Sequence, residues 1–467
     1  MNRAFNRRGF LVGSAGMAVM TATAGNRAAA AQSTPVGSAT PSTGAVVAPT
    51  TDTAISGQIR YQIVPSGPND VSVIQDFFNT TFRETYPDLE VVVEPAPSGS
   101  GDPLLASMVA GEAPDIIDTW TSRATPYIDA DQILDLKPLV DRDFGVDALA
   151  DFFPWVLEAQ TLESGFQWGM PRYVNITVLW YNRTMMEEAG VSEPDDTWDQ
   201  DVYREAILSL TQKQGDRTRV YGGHIPVFAY GRFANKVEAW GGSVVDPNDN
   251  TQAIFDSAEG QAAAEWHRQL MIDELAITDL QFLTTGGGSE GVAGALANFG
   301  AGRIATLEEG FYPFAYADAI GENFPFAVAA PPSGPAGRPI LGSADGFSIW
   351  SGSPNQEAAW EVVKYASGPE FQRALVGLTG YLPVRRSVIP EYLQIVIESR
   401  PQLAEANLQV GLDLLETGDP HERPLFAQDA EAEQIINAGL ERIFVVGDTP
   451  VDYLVELADQ VTEAMQS

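Results

Sequence analysis

Gly287-Gly288-Ser289-Glu290-Gly291 sets a serine between glycines at the spacing of a nucleophile elbow, where a strained turn exposes the hydroxyl for acyl transfer. That chemistry needs a buried strand ahead of the serine and a histidine base after it. Leu283-Thr284-Thr285-Gly286 is not such a strand, and the one later histidine is His421, so the segment reads as a loop. Asp246, Asn248 and Asn250 alternate as in a calcium loop, yet Thr251 stands where glycine is required and Ser257 where a bidentate glutamate belongs. A hairpin turn is the expectation there. His224, His267 and His421 are too far apart for a zinc motif, and no glycine-rich loop carries the Lys-Ser/Thr of a phosphate cradle. No cofactor and no metal are expected. A secreted glycosidase would need two carboxylates about 5 to 10 Å apart, and with 63 acids that alternative stays open.

What remains is recognition, and VAGEAPDIIDTW (109–120) frames it. Gly111 ends an apolar helix, Pro114 blocks a new one, and Asp115-Ile116-Ile117 reads as a short buried strand. Ligands of open α/β sheets collect beyond the carboxyl ends of strands, which is where Trp120 falls.

The elements around it alternate. Gln58 to Val64 is strand-like, Val71 to Tyr86 has helical spacing, Leu89 to Val93 is a second strand, and Leu104 to Ala110 a second helix. This is the signature of a layered α/β sheet. Later come a helical pattern over Phe152 to Leu162, a β-branched run Tyr173 to Tyr181, helices at Met185 to Ala189, Val202 to Lys213, Ala258 to Asp273, Gln356 to Ala366 and Pro450 to Met465, and a strand Arg303 to Leu307. Trp180-Tyr181 is expected in the core.

The 467 residues are enough for more than one core, since chains beyond roughly 250 to 300 residues usually divide. The formal charge of −36 disfavours nucleic acid and anionic lipid as partners and favours a neutral ligand. With no cysteine there is no disulfide, no thiolate metal site and no lipid-modified anchor. Arg7-Arg8 before the short apolar run Val12 to Met20, with Ala28 to Ala31 as a cleavage region, resembles a twin-arginine export signal over residues 1–31. Residues 32–56, rich in Ser, Thr, Pro, Gly and Ala, read as a disordered linker.

Nine signposts then fall in one order: Tyr86-Pro87 with Val91; Ala110 to Asp115; Gly169-Met170-Pro171 ahead of Tyr181-Asn182; Glu188-Ala189-Gly190; Asp196 to Asp199; Trp240-Gly241-Gly242; Gly302 to Ala305; Asn355 to Trp360; and Gly380 to Arg385. In this order the chain resembles the extracellular solute-binding proteins, family 1, the maltose-binding-like type that delivers sugars to ATP-binding cassette importers. The resemblance implies an α/β fold of two discontinuous lobes joined by a hinge, 57–173 with 343–398 and 174–342 with 399–467, closing on a ligand. It implies a non-enzymatic role with a carbohydrate ligand and membrane permease subunits as partners, the protein being a monomer in the periplasm or cell envelope.

Sugars combine apolar C–H faces with rings of hydroxyls, so their sites pair aromatic platforms with groups that give and take hydrogen bonds. By the family pattern the expected contacts are Trp120, Arg123, Tyr173, Asn175, Trp240, Glu309, Tyr312 and Asp345, with Asp345 in a turn among Gly342, Ser343 and Gly346. Tyr230, Ser66 and Arg385 are weaker candidates. Relatives commonly carry a tryptophan after the strand 303–307; Tyr312 or Phe314 stands in its place here. A polyamine, a metal chelate or a glycerol phosphate ester would suit the same fold with other cargo.

Overall fold

The computed structural model describes residues 49–64, 70–96, 103–162, 164–278 and 292–466. Residues 1–31, the linker up to residue 48, Ser66 and the serine of the elbow-like loop lie outside the described residues. The linker's last residues are held: the Thr50 amide donates to the Asp143 carbonyl at 3.0 Å and its carbonyl accepts from Lys364 at 2.6 Å. A buried ammonium with a third N–H to donate outweighs the low apolar content of that segment.

Among the described residues nine strands build one sheet. In chain order they are β1 Gly57–Ile63, β2 Leu89–Pro95, β3 Ile116–Thr119, β4 Met170–Asn182, β5 Gln212–Gln214 and β6 Arg217–His224; β7 Val245–Asp246 and β8 Asp249–Ala253 form a separate hairpin; β9 Ile304–Gly310, β10 Phe326–Ala329 and β11 Gly342–Ile349 complete the set. The order is β2-β1-β3-β11-β4-β9-β6-β5, with β10 also on β4. β1 runs parallel to β2 and β3, and β4 antiparallel to β11 and β9.

The architecture turns on β4. Its residues 170–176 pair with β11, and residues 177–181 pair with β9. One strand thereby serves two half-sheets, changing partner between Ile176 and Thr177. Its side chains alternate as a pleat requires: Val178 and Trp180 enter a core with Ile59, Phe371 and Phe311, while Leu179 and Tyr181 enter another with Tyr203, Phe233 and Phe444. Trp180 and Tyr181 are therefore core residues, as expected.

Local sequence explains most boundaries. Gly111, at φ +79°, ends the helix Pro103–Ala110. The strand that follows starts at Ile116, one residue later than expected, because the Asp115 side chain is taken up in accepting from the Arg60 amide at 2.9 Å and the Ser353 hydroxyl at 2.6 Å. The helix Arg183–Ala189 starts where the Asn182 side chain accepts from the Met185 amide at 3.0 Å and stops at Gly190, φ +68°. Asp246 accepts from the Asn248 amide at 2.8 Å within the β7–β8 hairpin, the turn expected in place of a calcium loop.

Three expectations change. The helical pattern at Phe152 to Leu162 yields only Pro154–Glu158, since Thr161 bridges back to Gln167. The helix expected over Val202 to Lys213 ends at Leu210, because Gln212–Gln214 pairs with β6. Asp345 is not in a turn: it lies inside β11, where the β4 ladder, which pairs it with Tyr173, and the β3 ladder that begins at Gly346 override the turn propensity of Gly342, Ser343 and Gly346 and leave only a bulge after Asp345.

Candidate ligand-binding site

Two adjoining hollows open where β4 changes partner. One, of about 290 Å³, is lined by Asp118, Trp120, Arg172, Tyr173, Tyr312 and Asp345 among others. The second, of about 260 Å³, is lined by Thr121, Thr177, Arg232, Glu422, Arg423 and Glu433 among others. Trp120, Asn175 and Ser343 belong to both walls.

Several wall residues sit near the end or partner switch of a strand, while Arg232 and Glu433 come from helices and Glu422 and Arg423 from an irregular stretch. Trp120 follows β3 directly and opens the helix Thr121–Asp129, so its indole stands at the sheet's edge, with the Arg123 guanidinium 5.3 Å from its centroid. Asp118, inside β3, is buried and accepts from the Tyr61 hydroxyl at 2.5 Å, the Val64 amide at 3.1 Å and Arg172 at 2.7 Å. Burial raises the Asp118 carboxyl, and Arg172 pulls against that rise. Asn175 donates to the Tyr312 hydroxyl at 2.6 Å and accepts from the Phe311 amide at 2.9 Å, fixing the end of β9 on β4. Gly310 permits this approach, since a Cβ there would lie 2.4 Å from the Tyr312 ring and 2.7 Å from Asn175.

Three tyrosines form one aromatic wall: Tyr381 lies 4.4 Å from Tyr173 and 5.6 Å from Tyr312, centroid to centroid. Burial pushes the hydroxyls of Tyr173 and Tyr312 up, so both stay protonated donors. Opposite them, Glu422 accepts from the Thr121 hydroxyl and, at 3.2 Å, from the Ala344 amide. Burial pushes the carboxyls of Asp345 and Glu422 each up to about 7. The wall thus mixes ring faces, hydroxyl and amide groups, and ionised side chains, which is the mixture a polyol with apolar C–H faces requires.

Of the eight expected contacts, Trp120, Tyr173, Asn175, Tyr312 and Asp345 line the hollows. Arg123 stands behind Trp120 and reaches Gln62 at 3.5 Å. Glu309 is buried and clamped by Arg232 at 2.7 and 3.0 Å, so Arg232 presents to the hollow what Glu309 holds in place. Trp240 is elsewhere, packed 5.9 Å from Trp266 and 5.6 Å from His267. Among the weaker candidates, Arg385 is buried over the Phe152 ring and gives its hydrogen bonds to the Ser367 and Ala148 carbonyls, and the Tyr230 hydroxyl donates to the Pro424 carbonyl.

Arg232, Glu422, Arg423 and Tyr381 were not foreseen. Asp118, an acid inside the apolar run of β3, carried a readable signal. Glu422 and Arg423 sit in an irregular stretch whose neighbours in sequence give none. No group of three or more His, Asp or Glu suited to a metal occurs among the described residues.

A half-sheet on either side of a shared strand, with a polar and aromatic hollow at the switch, defines the two-lobed binding-protein fold. The chain belongs to the bacterial extracellular solute-binding protein family, whose pattern matches residues 65–373. Its fold is similar to that of an ABC substrate-binding protein from Listeria monocytogenes in complex with cycloalternan, with a TM-score of 0.74 at 20% identity over 88% of this chain and 100% of that one. It is also similar to a maltose-bound protein of T. maritima, with a TM-score of 0.69 at 20% identity over 88% and 99%. An arabinooligosaccharide-binding protein of Bacillus subtilis is 33% identical over 128 residues, 25% of this chain and 28% of that protein. The chain spans about half the length of the first curated relatives it matches, 53% of a Brucella abortus binding protein at 24% identity.

Proposed function

We propose that this chain is the exported, non-enzymatic binding subunit of an ABC importer, capturing a mono- or oligosaccharide between two lobes and passing it to membrane permease subunits. The observation that carries this reading is the pair of hollows at the β4 partner switch, walled by Trp120, Tyr173 and Tyr312 together with Asn175 and Ser343. Membership of a binding-protein family supports it, as do the cycloalternan, maltose and arabinooligosaccharide in the names of similar proteins. The lobes are 57–173 with 343–398 and 174–342 with 399–467. Closure removes the ligand from water and creates the surface a permease reads, so capture and signalling are one event. Delivery by the twin-arginine-type segment 1–31 places the protein in the periplasm or cell envelope as a monomer. No helix among the described residues is long and apolar enough to cross a membrane.

A thermal-shift screen of the chain against sugars, polyamines and phosphate esters tests this. A ligand at 100 times its dissociation constant adds about 2.7 kcal/mol of stability. A shift with polyamines or phosphate esters and none with any carbohydrate replaces the cargo while leaving the fold. Trp120→Ala removes the largest ring face from the wall and weakens saccharide binding about 10- to 100-fold, the equivalent of roughly 1.5–3 kcal/mol. Titration calorimetry reads this directly; an unchanged affinity would move the ligand away from the β3 end.

A further inference from the structure

Three guanidiniums stand in the walls of the cleft, and each is already matched. Arg172 holds Asp118 at 2.7 Å, Arg232 holds Glu309 at 2.7 Å, and Arg423 holds Asp429 at 2.7 Å and Glu433 at 3.0 Å. Asp345 and Glu422 differ. The described residues place no ammonium or guanidinium within ion-pair distance of either carboxylate, and their donors are neutral: Tyr173 for Asp345, and Thr121 with the Ala344 amide for Glu422. The two carboxylates are near enough for Glu422 to act on the Asp345 charge, and Arg123, the remaining nearby cation, lies against Trp120 and Gln62. The cleft therefore holds two carboxyls that no cation pairs, and each is an anion on the alkaline side of about pH 7.

A second observation points to a ligand in the same hollow. Arg172 is 4% exposed, lines that hollow, and its Nε has no hydrogen-bond partner. Arg172 thus has an N–H to spare at the hollow's wall, a donor that an occupant's oxygen would satisfy, beside two carboxyls that a cation would compensate. A neutral polyol supplies the acceptor and can donate hydroxyls to the carboxylates, but it brings no charge to compensate them once water is excluded. Hydrogen bonds from a cation to a carboxylate are about twice as strong as neutral ones.

We propose that the saccharide taken up by this cleft carries a protonated amine, an amino sugar whose ammonium is set against Asp345 and Glu422 while its oxygens meet Arg172. This rests on the saccharide reading above and narrows it to one chemical class. Ring faces still stack on Trp120 and the tyrosine wall, so the sugar skeleton remains necessary.

Calorimetry on the full chain with a matched pair separates the possibilities: glucosamine trimer with free amines, the same trimer N-acetylated, with maltotriose and spermidine alongside. The free-amine trimer binds at least about tenfold tighter than its acetylated counterpart, and Asp345→Asn or Glu422→Gln each removes most of that preference. Melting curves of both variants establish that they fold. Acetylated trimer or maltotriose binding as well as or better than the free-amine trimer overturns the amino-sugar inference and leaves the saccharide reading standing. Spermidine binding with no saccharide binding overturns both.

Discussion

Replacing Lys364 with alanine lowers the unfolding free energy by about 3–5 kcal/mol, the usual cost of breaking a buried ion pair by removing one partner. Lys364 has 1% of its side chain exposed and sits on the helix Gln356–Ala366. Its ammonium meets Asp143 at 2.8 Å, Glu361 at 2.7 Å and the Thr50 carbonyl at 2.6 Å. Without it two largely buried carboxylates face each other's surroundings with only Arg142 and Trp360 left on Asp143 and Tyr86 left on Glu361. Hydrogen bonds from Arg142, with Lys364 adding to them, hold the Asp143 carboxyl well below the usual carboxylate range. Urea unfolding of Lys364→Ala, and of the same change in a Glu361→Gln background where one orphaned charge is gone, reads the effect. A loss under about 1 kcal/mol, or an equal loss in both backgrounds, would mean that the network is not coupled through the ammonium.

The second large effect is on pH. Asp345 titrates at about 7 in the folded chain against 3.8 for the free side chain. The folded state thus binds more protons than the unfolded state between these values, and stability falls as pH rises. The contribution is complete below about pH 4 and is lost as pH passes through about 7. For a carboxyl this buried the decline is about 4 kcal/mol across the window. Glu422, raised to the same range, adds in the same direction. Asp143 acts oppositely: its depressed value contributes stability above the usual carboxylate range that disappears in acid. The unliganded protein is therefore most stable on the acid side of neutrality. Denaturant midpoints from about pH 5 to about pH 8 test this, with Asp345→Asn flattening the curve. A variant with the parent's slope would assign the decline to other groups.

Both effects come from groups whose partners are remote in sequence, and this sets what could be read beforehand. Local pattern determined the alternation of strands and helices, because burial on one face imposes periods of 2 and 3.6 on the chain itself. It located the helix over Met185 to Ala189, which the structure begins two residues earlier at Arg183, and it put Trp120 at the end of a buried strand. Five of the eight contacts that the family resemblance implied line the hollows, and of these Trp120 is also marked by the strand end before it, since strand ends of a layered sheet are visible in sequence and converge in space.

Tertiary structure alone decided the rest. Asp345 lies in a strand because its β4 ladder, with the β3 ladder starting one residue on, outweighs the turn preference of its neighbours. Glu309 is silent in sequence about Arg232, 77 residues away, and Glu422 gives no local sign that it will meet Thr121 across 301 residues. Periodicity records which face of an element is buried. It does not record which charge another segment brings to that face, and in this cleft the pairing of charges determines which carboxylates are left without a cation.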